Sequence, residues 1–320
     1  MPLALLVPGL LDVATDALAS APALRRIAAR ATPQAAEDAD DALLRALGLP
    51  ATAAPFAALG AGLAVGGDWV ARADPVSVEL TREDVRIIAR VDDLAHDEAG
   101  TLLALLARHF ADDGLAFAAP RPDAWFVHSS RPYAVALPSL TAALRGPLRT
   151  QLPHGDDAKP WRRWWTEVQM LLHEHPLALR TPAPVHALWF SAPGTLPSSL
   201  PPLQAFATAT RHGDVVRGLA ATAHRHAKPP PALADTLATA RRGTTIAAAC
   251  DPVVDAAGLA ALEPILDAAL AAVDAGRLDR VVLVAGGRER AATWQVDRAG
   301  WLARMWPRSA PFVAPSTDLP

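Results

Sequence analysis

Two apolar runs joined by a long apolar helix constrain this chain more than any other feature. Residues 244–250, TTIAAAC, and 279–287, DRVVLVAGG, are short continuous apolar stretches of the kind that form strands buried on both faces. Between them, GLAALEPILDAALAAVDAG places Leu259, Leu262, Leu266, Leu270 and Val273 on one helical face. Strand, helix of this length and strand form a crossover, which predicts two parallel strands in a sheet covered by helices. The opening LALLV, residues 3–7, is a third such run, closed by Pro8-Gly9, and is expected in the same sheet.

The middle of the chain has a different texture. DPVSVEL and VRIIARV read as strands around the polar TRED, and HDEAGTLLALLARHF carries Leu102, Leu103, Leu106 and Phe110 at helical spacing. GLAFAAP and DAWFVHSS read as two further strands, and a helix follows Gly155. The expected fold class is therefore α/β, with a largely parallel core from residues 1–72 and 185–320 and an α+β insertion, ββαββα, at 73–184. Residues 31–68, with GLPATAAPFAALGAGLAVGG, read as irregular, and HRHAKPPPALAD at 224–235 as a solvated proline-rich loop.

Charge narrows the partners. With a formal net charge of −3 and no basic stripe, the chain has nothing to draw it to nucleic acid or to an anionic membrane. All but Lys159 and Lys228 of the 30 basic residues are arginine, a bias that accompanies the abundance of alanine and proline. The single cysteine, Cys250, precludes an internal disulfide and fits a reducing compartment. The N-terminal segment lacks a positive region and is interrupted by Pro8, so it is expected to be neither a signal peptide nor a membrane span, and a cytoplasmic location is expected.

His173, Glu174 and His175 resemble a chelating triplet, but their spacing argues otherwise. The helix that holds them starts near Pro160, with Asp156 or Asp157 available as its cap, and Trp161, Trp165, Val168 and Leu172, with Trp164, Leu171 and His175 beside them, make one broad apolar face. Residues two apart on a helix diverge by about 200°, so the two imidazoles cannot meet one ion. The expectation is that Trp161, Trp165 and Leu172 are buried, that His173 is solvated, and that His175 is a structural group at the end set by Pro176.

Other candidates weaken on the same scrutiny. Glycines 60, 62, 66 and 67 miss the spacing of a dinucleotide fingerprint. Cys250 and Asp251 stand at the carboxyl end of an expected parallel strand, where α/β proteins place ligands and nucleophiles, yet no histidine lies nearby in sequence to form a thiolate. His224 and His226, with His212 and Asp214, fall in or beside the proline-rich loop, and Asp112-Asp113-Gly114 reads as a turn. There is no GxSxG, phosphate-binding P-loop, HExxH or paired CxxC.

Several ordered blocks nevertheless carry a resemblance. ADPVSVEL, DEAGTLLALLARHFADDGLAF, LPHGDDAKPWRRWWTEVQMLLHEHP and ALWFSAPGTLP, followed by LDAALAAVDAGRLDRVVLVAGG and WLARMWPRSAPF, resemble the bacterial RpfE-type regulatory proteins, catalogued as phosphoglycerate-mutase-like. That family is similar in turn to the archaeal-type cofactor-independent phosphoglycerate mutases of the alkaline phosphatase superfamily, through the order His175-Pro176, Trp189 and Gly194 to Pro197.

The resemblance implies an alkaline-phosphatase-like layered core with a smaller insertion. It implies a binding region in the cleft between them, where Asp157, Arg162, His175, His186, Trp189 and Asp214 are the ligand-binding candidates and Asp251 and Cys250 the weak catalytic ones. Enzymes of that superfamily hold two divalent metals with Asp and His, and losing those ligands removes the mechanism. Pro8 stands where a metal-binding Asp is expected, no histidine follows His226, and His186 takes an asparagine position. The expectation is a catalytically silent regulatory protein without a cofactor, binding a small phosphorylated ligand or a protein partner. The rival is a metal-dependent phosphotransfer enzyme drawing on Asp74, Asp113, Asp157, His175 and Asp214.

Overall fold

The structure is a computed structural model and describes residues 2–82, 84–239, 245–298, 309–313 and 315. In chain order the elements are β1 (Pro2–Val7), α1 (Thr15–Ser20), α2 (Pro22–Ala28), β2 (Gln34–Ala36), α3 (Ala39–Ala46), α4 (Ala53–Gly60), β3 (Trp69–Leu80), β4 (Val85–Arg90), α5 (His96–His109), β5 (Ala116–Arg121) and β6 (Ala124–Ser129). Then come α6 (Leu140–Arg145), α7 (Ala158–His173), β7 (Ala187–Gly194), β8 (Leu203–Ala207), α8 (Asp214–Thr222), α9 (Ala232–Thr239), β9 (Thr245–Ala249), α10 (Ala256–Asp274), β10 (Arg280–Gly286) and β11 (Ala291–Asp297). Thr244, the expected start of β9, and Trp301 to Arg308 of the tryptophan-rich tail lie outside the described residues. The chain forms two compact units, one of residues 1–51 with 198–320, the other of 52–197.

The first unit is built on a six-stranded sheet in the order β2-β11-β10-β1-β9-β8. β1 pairs in parallel with β10 on one side and β9 on the other, with Leu5 opposite both Leu283 and Ala248, and β8 continues the parallel set. The expected crossover is thus present, and the first strand lies at its centre. Leu3, Leu5 and Val7 face a core that includes Leu18, Leu24 and Ile27 of α1 and α2, Leu233 and Leu237 of α9, and Leu259, Leu262, Leu266, Leu270 and Val273 of α10. Ala4 and Leu6 on the other face are buried as well, which explains why this strand reads as an unbroken apolar run. β11 and β2 extend the sheet antiparallel, a feature the sequence pattern did not reveal.

α10 is long and apolar enough to cross a membrane by length and composition, but its leucine face is packed in this core. Its other contacts are specific: Glu263 accepts from the Ala23 N–H at the start of α2 at 2.8 Å, Asp267 pairs with Arg26, and Asp274 pairs with Arg30 at 3.0 Å. Glu263 therefore satisfies an N–H in the first turn of α2, where no side chain at the cap position does so.

The second unit is organised by β3, the longest strand, which pairs antiparallel with β4, β6 and β7, while β5 pairs with β6. The compact units divide at 51/52 and 197/198, not at the expected 72/73 and 184/185. β7 was expected in the core, yet it runs along β3 from Val76 opposite Ala187 to Val70 opposite Gly194. Residues 31–68 are also more regular than expected, since β2, α3 and α4 lie there, and the Asp38 carboxylate caps α3 by accepting from the Asp40 and Asp41 N–H groups.

α7 corrects a phase. Ala158, Trp161, Trp164, Val168 and Leu172 are the buried residues, while Trp165 is half-buried beside Trp189, at 6.4 Å between ring centroids. Trp161 meets Trp69, Tyr133, Trp164 and Phe190 within 5.6 Å, mostly edge to face. His173 is exposed and His175 half-buried, as expected.

Candidate functional site

Strands β8, β9, β1 and β10 run parallel, so their carboxyl ends share one edge of the first unit's sheet. In open α/β sheets this is the edge at which ligands bind, because loops there converge without blocking the strands. Local backbone bonds bring the strand ends together. Thr208, just after β8, donates its N–H to Ala249 at 3.0 Å, Cys250 donates to Leu6 at 3.0 Å, and Val253 donates to Pro8 at 2.8 Å. Gly9 adopts φ +75°, and a Cβ there would lie 2.6 Å from the Val253 carbonyl oxygen, so only glycine fits that crossing.

A side-chain chain runs along this edge. Thr208 donates its hydroxyl to the Asp251 carboxylate, and its oxygen lies 3.5 Å from that of Thr210. Arg217, one turn into α8, reaches back to the Thr208 carbonyl, to the Thr210 carbonyl at 3.1 Å, and to the Asp214 carboxylate. Asp214 is buried, whereas Thr210 and Asp251 are exposed. Gly213 leaves room for this arrangement, since a Cβ at that position would collide with the Thr208 carbonyl.

Asp251 and Asp214, both candidates on sequence, are therefore linked through Thr208, Thr210 and Arg217. Those three were missed because β8 itself was not legible as a strand; a Thr-x-Thr after the apolar LQAFA was the available signal. Cys250 is buried, and burial, reinforced by the Asp251 charge, pushes its thiol up to about 12. At neutral pH it is a protonated thiol and a poor nucleophile. The carboxyl end of β10 is Gly286-Gly287, beside which Asp12 accepts from the Arg288 N–H at 2.8 Å.

The candidates in the second unit each have a partner that holds the fold. Asp157 was expected as a possible cap of α7, but its carboxylate accepts from Arg131 at 3.0 Å and from the Ala134 N–H at 2.8 Å, fastening the loop before α6. Arg162 donates from Nε and Nη2 to the Pro153 carbonyl, and Trp189 donates its indole N–H to the Pro138 carbonyl at 3.0 Å. His175 Nδ1 accepts from the Leu177 N–H at 3.3 Å, capping the short 3-10 turn Pro176–Leu179. His186 Nδ1 accepts from the Val78 N–H at 2.9 Å. Asp74 pairs with Arg90 at 2.9 Å, and Asp113 accepts from Arg163 and from the Trp164 indole at 3.0 Å. Among the described residues, no three of His, Cys, Asp and Glu converge in a group able to hold a metal ion.

No protein-family model matches the chain, and no curated protein matches it. Among solved structures it is similar to the PH0037 protein from Pyrococcus horikoshii, at 14% identity and a TM-score of 0.48, over 97% of this chain and 90% of that one. It is also similar to a cofactor-independent phosphoglycerate mutase from Thermoplasma acidophilum DSM 1728, at 14% identity and a TM-score of 0.38, over 92% of this chain and 89% of that one.

Proposed function

We propose that the chain is a phosphomutase-derived, catalytically silent protein of the RpfE-type regulatory kind, acting in the cytoplasm and binding a ligand at the carboxyl edge of the parallel sheet. The regulatory reading rests on the ordered sequence blocks. The silence rests on one observation: the strand ends carry the wrong donors for two metals. β1 ends on Pro8-Gly9, β10 on Gly286-Gly287 and β9 on Cys250-Asp251, while the Asp214 carboxylate is engaged by Arg217. Two-metal phosphotransfer needs ligands converging on ions about 3.5–4 Å apart, and this donor set does not fit that requirement. The edge keeps instead what a binding site needs, an exposed carboxylate and hydroxyl fixed by buried neighbours.

The test is metal content together with turnover. Purified protein is expected to hold no stoichiometric zinc or manganese and to show no metal-dependent mutase or phosphatase activity. Metal-dependent activity that disappears in Asp251→Asn or Asp214→Asn would establish an active phosphotransfer enzyme and end this reading.

A further inference from the structure

We infer that the carboxyl edge at β8 and β9 recognises a hydrogen-bond donor, a hydroxyl or ammonium group as on an amino-polyol, and not a phosphate monoester. This deepens the ligand-binding reading above and rests on it. The argument follows the direction of the protons. An ionised aspartate can only accept hydrogen bonds, so Thr208 must spend its single hydroxyl proton on Asp251. At the 3.5 Å contact between the two threonine hydroxyls, Thr208 therefore accepts and Thr210 donates. In that contact the Thr210 proton points inward. Its exposed oxygen presents lone pairs, as does the second oxygen of the exposed Asp251.

The groups that would bind a phosphate are engaged elsewhere. Arg217 directs Nη1 at the Thr208 carbonyl and Nη2 at the Thr210 carbonyl and Asp214, so its charge is neutralised within the loop. The first turn of α10, a natural anion cradle, carries its own anion: Asp255 caps it by accepting from the Gly258 N–H at 2.8 Å. The first residue of α8 is Asp214, which places a carboxylate at that end too. Arg211 and His212, which follow Thr210, have partners of their own. A phosphate at Thr210 and Asp251 would meet lone pairs and a carboxylate, whereas an ammonium or hydroxyl group would complete both acceptors.

The test is a saturation-transfer NMR titration of the full chain with 2-amino-1,3-propanediol and, separately, with 3-phosphoglycerate. The amino-diol is expected to bind, on the order of tenfold more weakly in Asp251→Asn because a charge-assisted contact is lost. It should also weaken in Thr210→Val and recover in Thr210→Ser, a pair of exposed substitutions that leaves the buried part of the chain intact. Amino-diol binding that is absent, or equal in wild type, Asp251→Asn and Thr210→Val, would overturn the inference. So would 3-phosphoglycerate binding that depends on Asp251 or Thr210, although that result would leave a ligand-binding edge in place. Metal-dependent turnover would instead sink catalytic silence while leaving the donor preference to be read from the same titration.

Discussion

Val78 donates its backbone N–H to Nδ1 of His186 across 2.9 Å, at the point where β3 and β4 shift register between Ser77 and Val78. The pairing of β7 with β3 ends at Ala187 opposite Val76, and the imidazole supplies an acceptor for the next N–H on that side of β3. The His186 backbone N–H in turn donates to the Val76 carbonyl at 2.9 Å, so residue 186 continues the β7 pairing along β3 with both its backbone and its side chain.

This pairing predicts an acid-sensitive contribution to stability. Only a neutral imidazole has an acceptor nitrogen, and burial holds the His186 pKa below its ordinary value. The unfolded chain therefore takes up the proton first, and the contribution present above pH about 6.5 is lost as pH falls below it. In urea denaturation at pH 7.5 and 5.5, His186→Ala should be less stable at the higher pH by about 1 kcal/mol for the orphaned N–H. It should also lose less stability than wild type on acidification. An equal loss in both proteins would refute the assignment.

The neighbouring tryptophans of α7 should separate in size of effect. Trp161 is fully buried among four aromatic rings, so Trp161→Ala should cost about 3–5 kcal/mol. Trp165 is half-buried, and Trp165→Ala should cost about 1–2 kcal/mol, less than its neighbour because less surface leaves water on folding. Denaturation midpoints that rank the two in the opposite order would mean that the helix is rotated from the position described.

These two residues also show what the sequence could and could not disclose. A helical period was plain, but Trp161, Trp164 and Trp165 allow two neighbouring phases, and the phase adopted sets Trp164 against Tyr133 from outside the helix. The parallel crossover was legible because two short unbroken apolar runs, β9 and β10, flank the long helix α10 with its leucine face. The segment that forms β7 was assigned to the core and not to a partnership with β3, since an apolar run does not name its sheet. At the sheet edge, Asp251 and Asp214 could be noticed as carboxylates. Thr208 and Arg217, which join them, stand out only when β8 and α8 are folded side by side.

Cys250 should behave as a silent thiol. With its pKa pushed up to about 12 by burial and by Asp251, it has almost no thiolate at pH 8. Alkylation by iodoacetamide in the native protein should run at least about a thousandfold slower than in the urea-unfolded chain, since the thiolate is the reacting form. Comparable rates in the two states would mean that this strand end is open and charged, contrary to the geometry.

Arg90 and its carboxylates give two substitutions of opposite sign. Arg90 is nearly buried and lies 2.9 Å from Asp74, itself 4% exposed, and 2.9 Å from the more exposed Asp92. One guanidinium thus faces two carboxylates, with Asp123 and Asp93 adding to the negative field. Burial raises the Asp92 pKa, Arg90 lowers it in part, and the repulsion of Asp74, Asp123 and Asp93 adds to the rise. A raised carboxyl binds its proton more tightly in the folded chain, so stability falls as pH climbs from the ordinary carboxylate value through the raised one, and the penalty persists at neutral pH. Asp92→Asn should therefore raise the melting temperature at pH 7, with the gain fading near pH 3.5, while its amide oxygen can still accept from Arg90. Asp74→Asn removes the more buried of the two charges and leaves Arg90 with the more exposed Asp92, so it should destabilise by about 1–3 kcal/mol at pH 7 through the loss of a charge-assisted buried contact. Melting curves at the two pH values decide the matter: if both substitutions destabilise at pH 7, Asp92 is a needed counter-ion of Arg90 and not the surplus charge of the cluster.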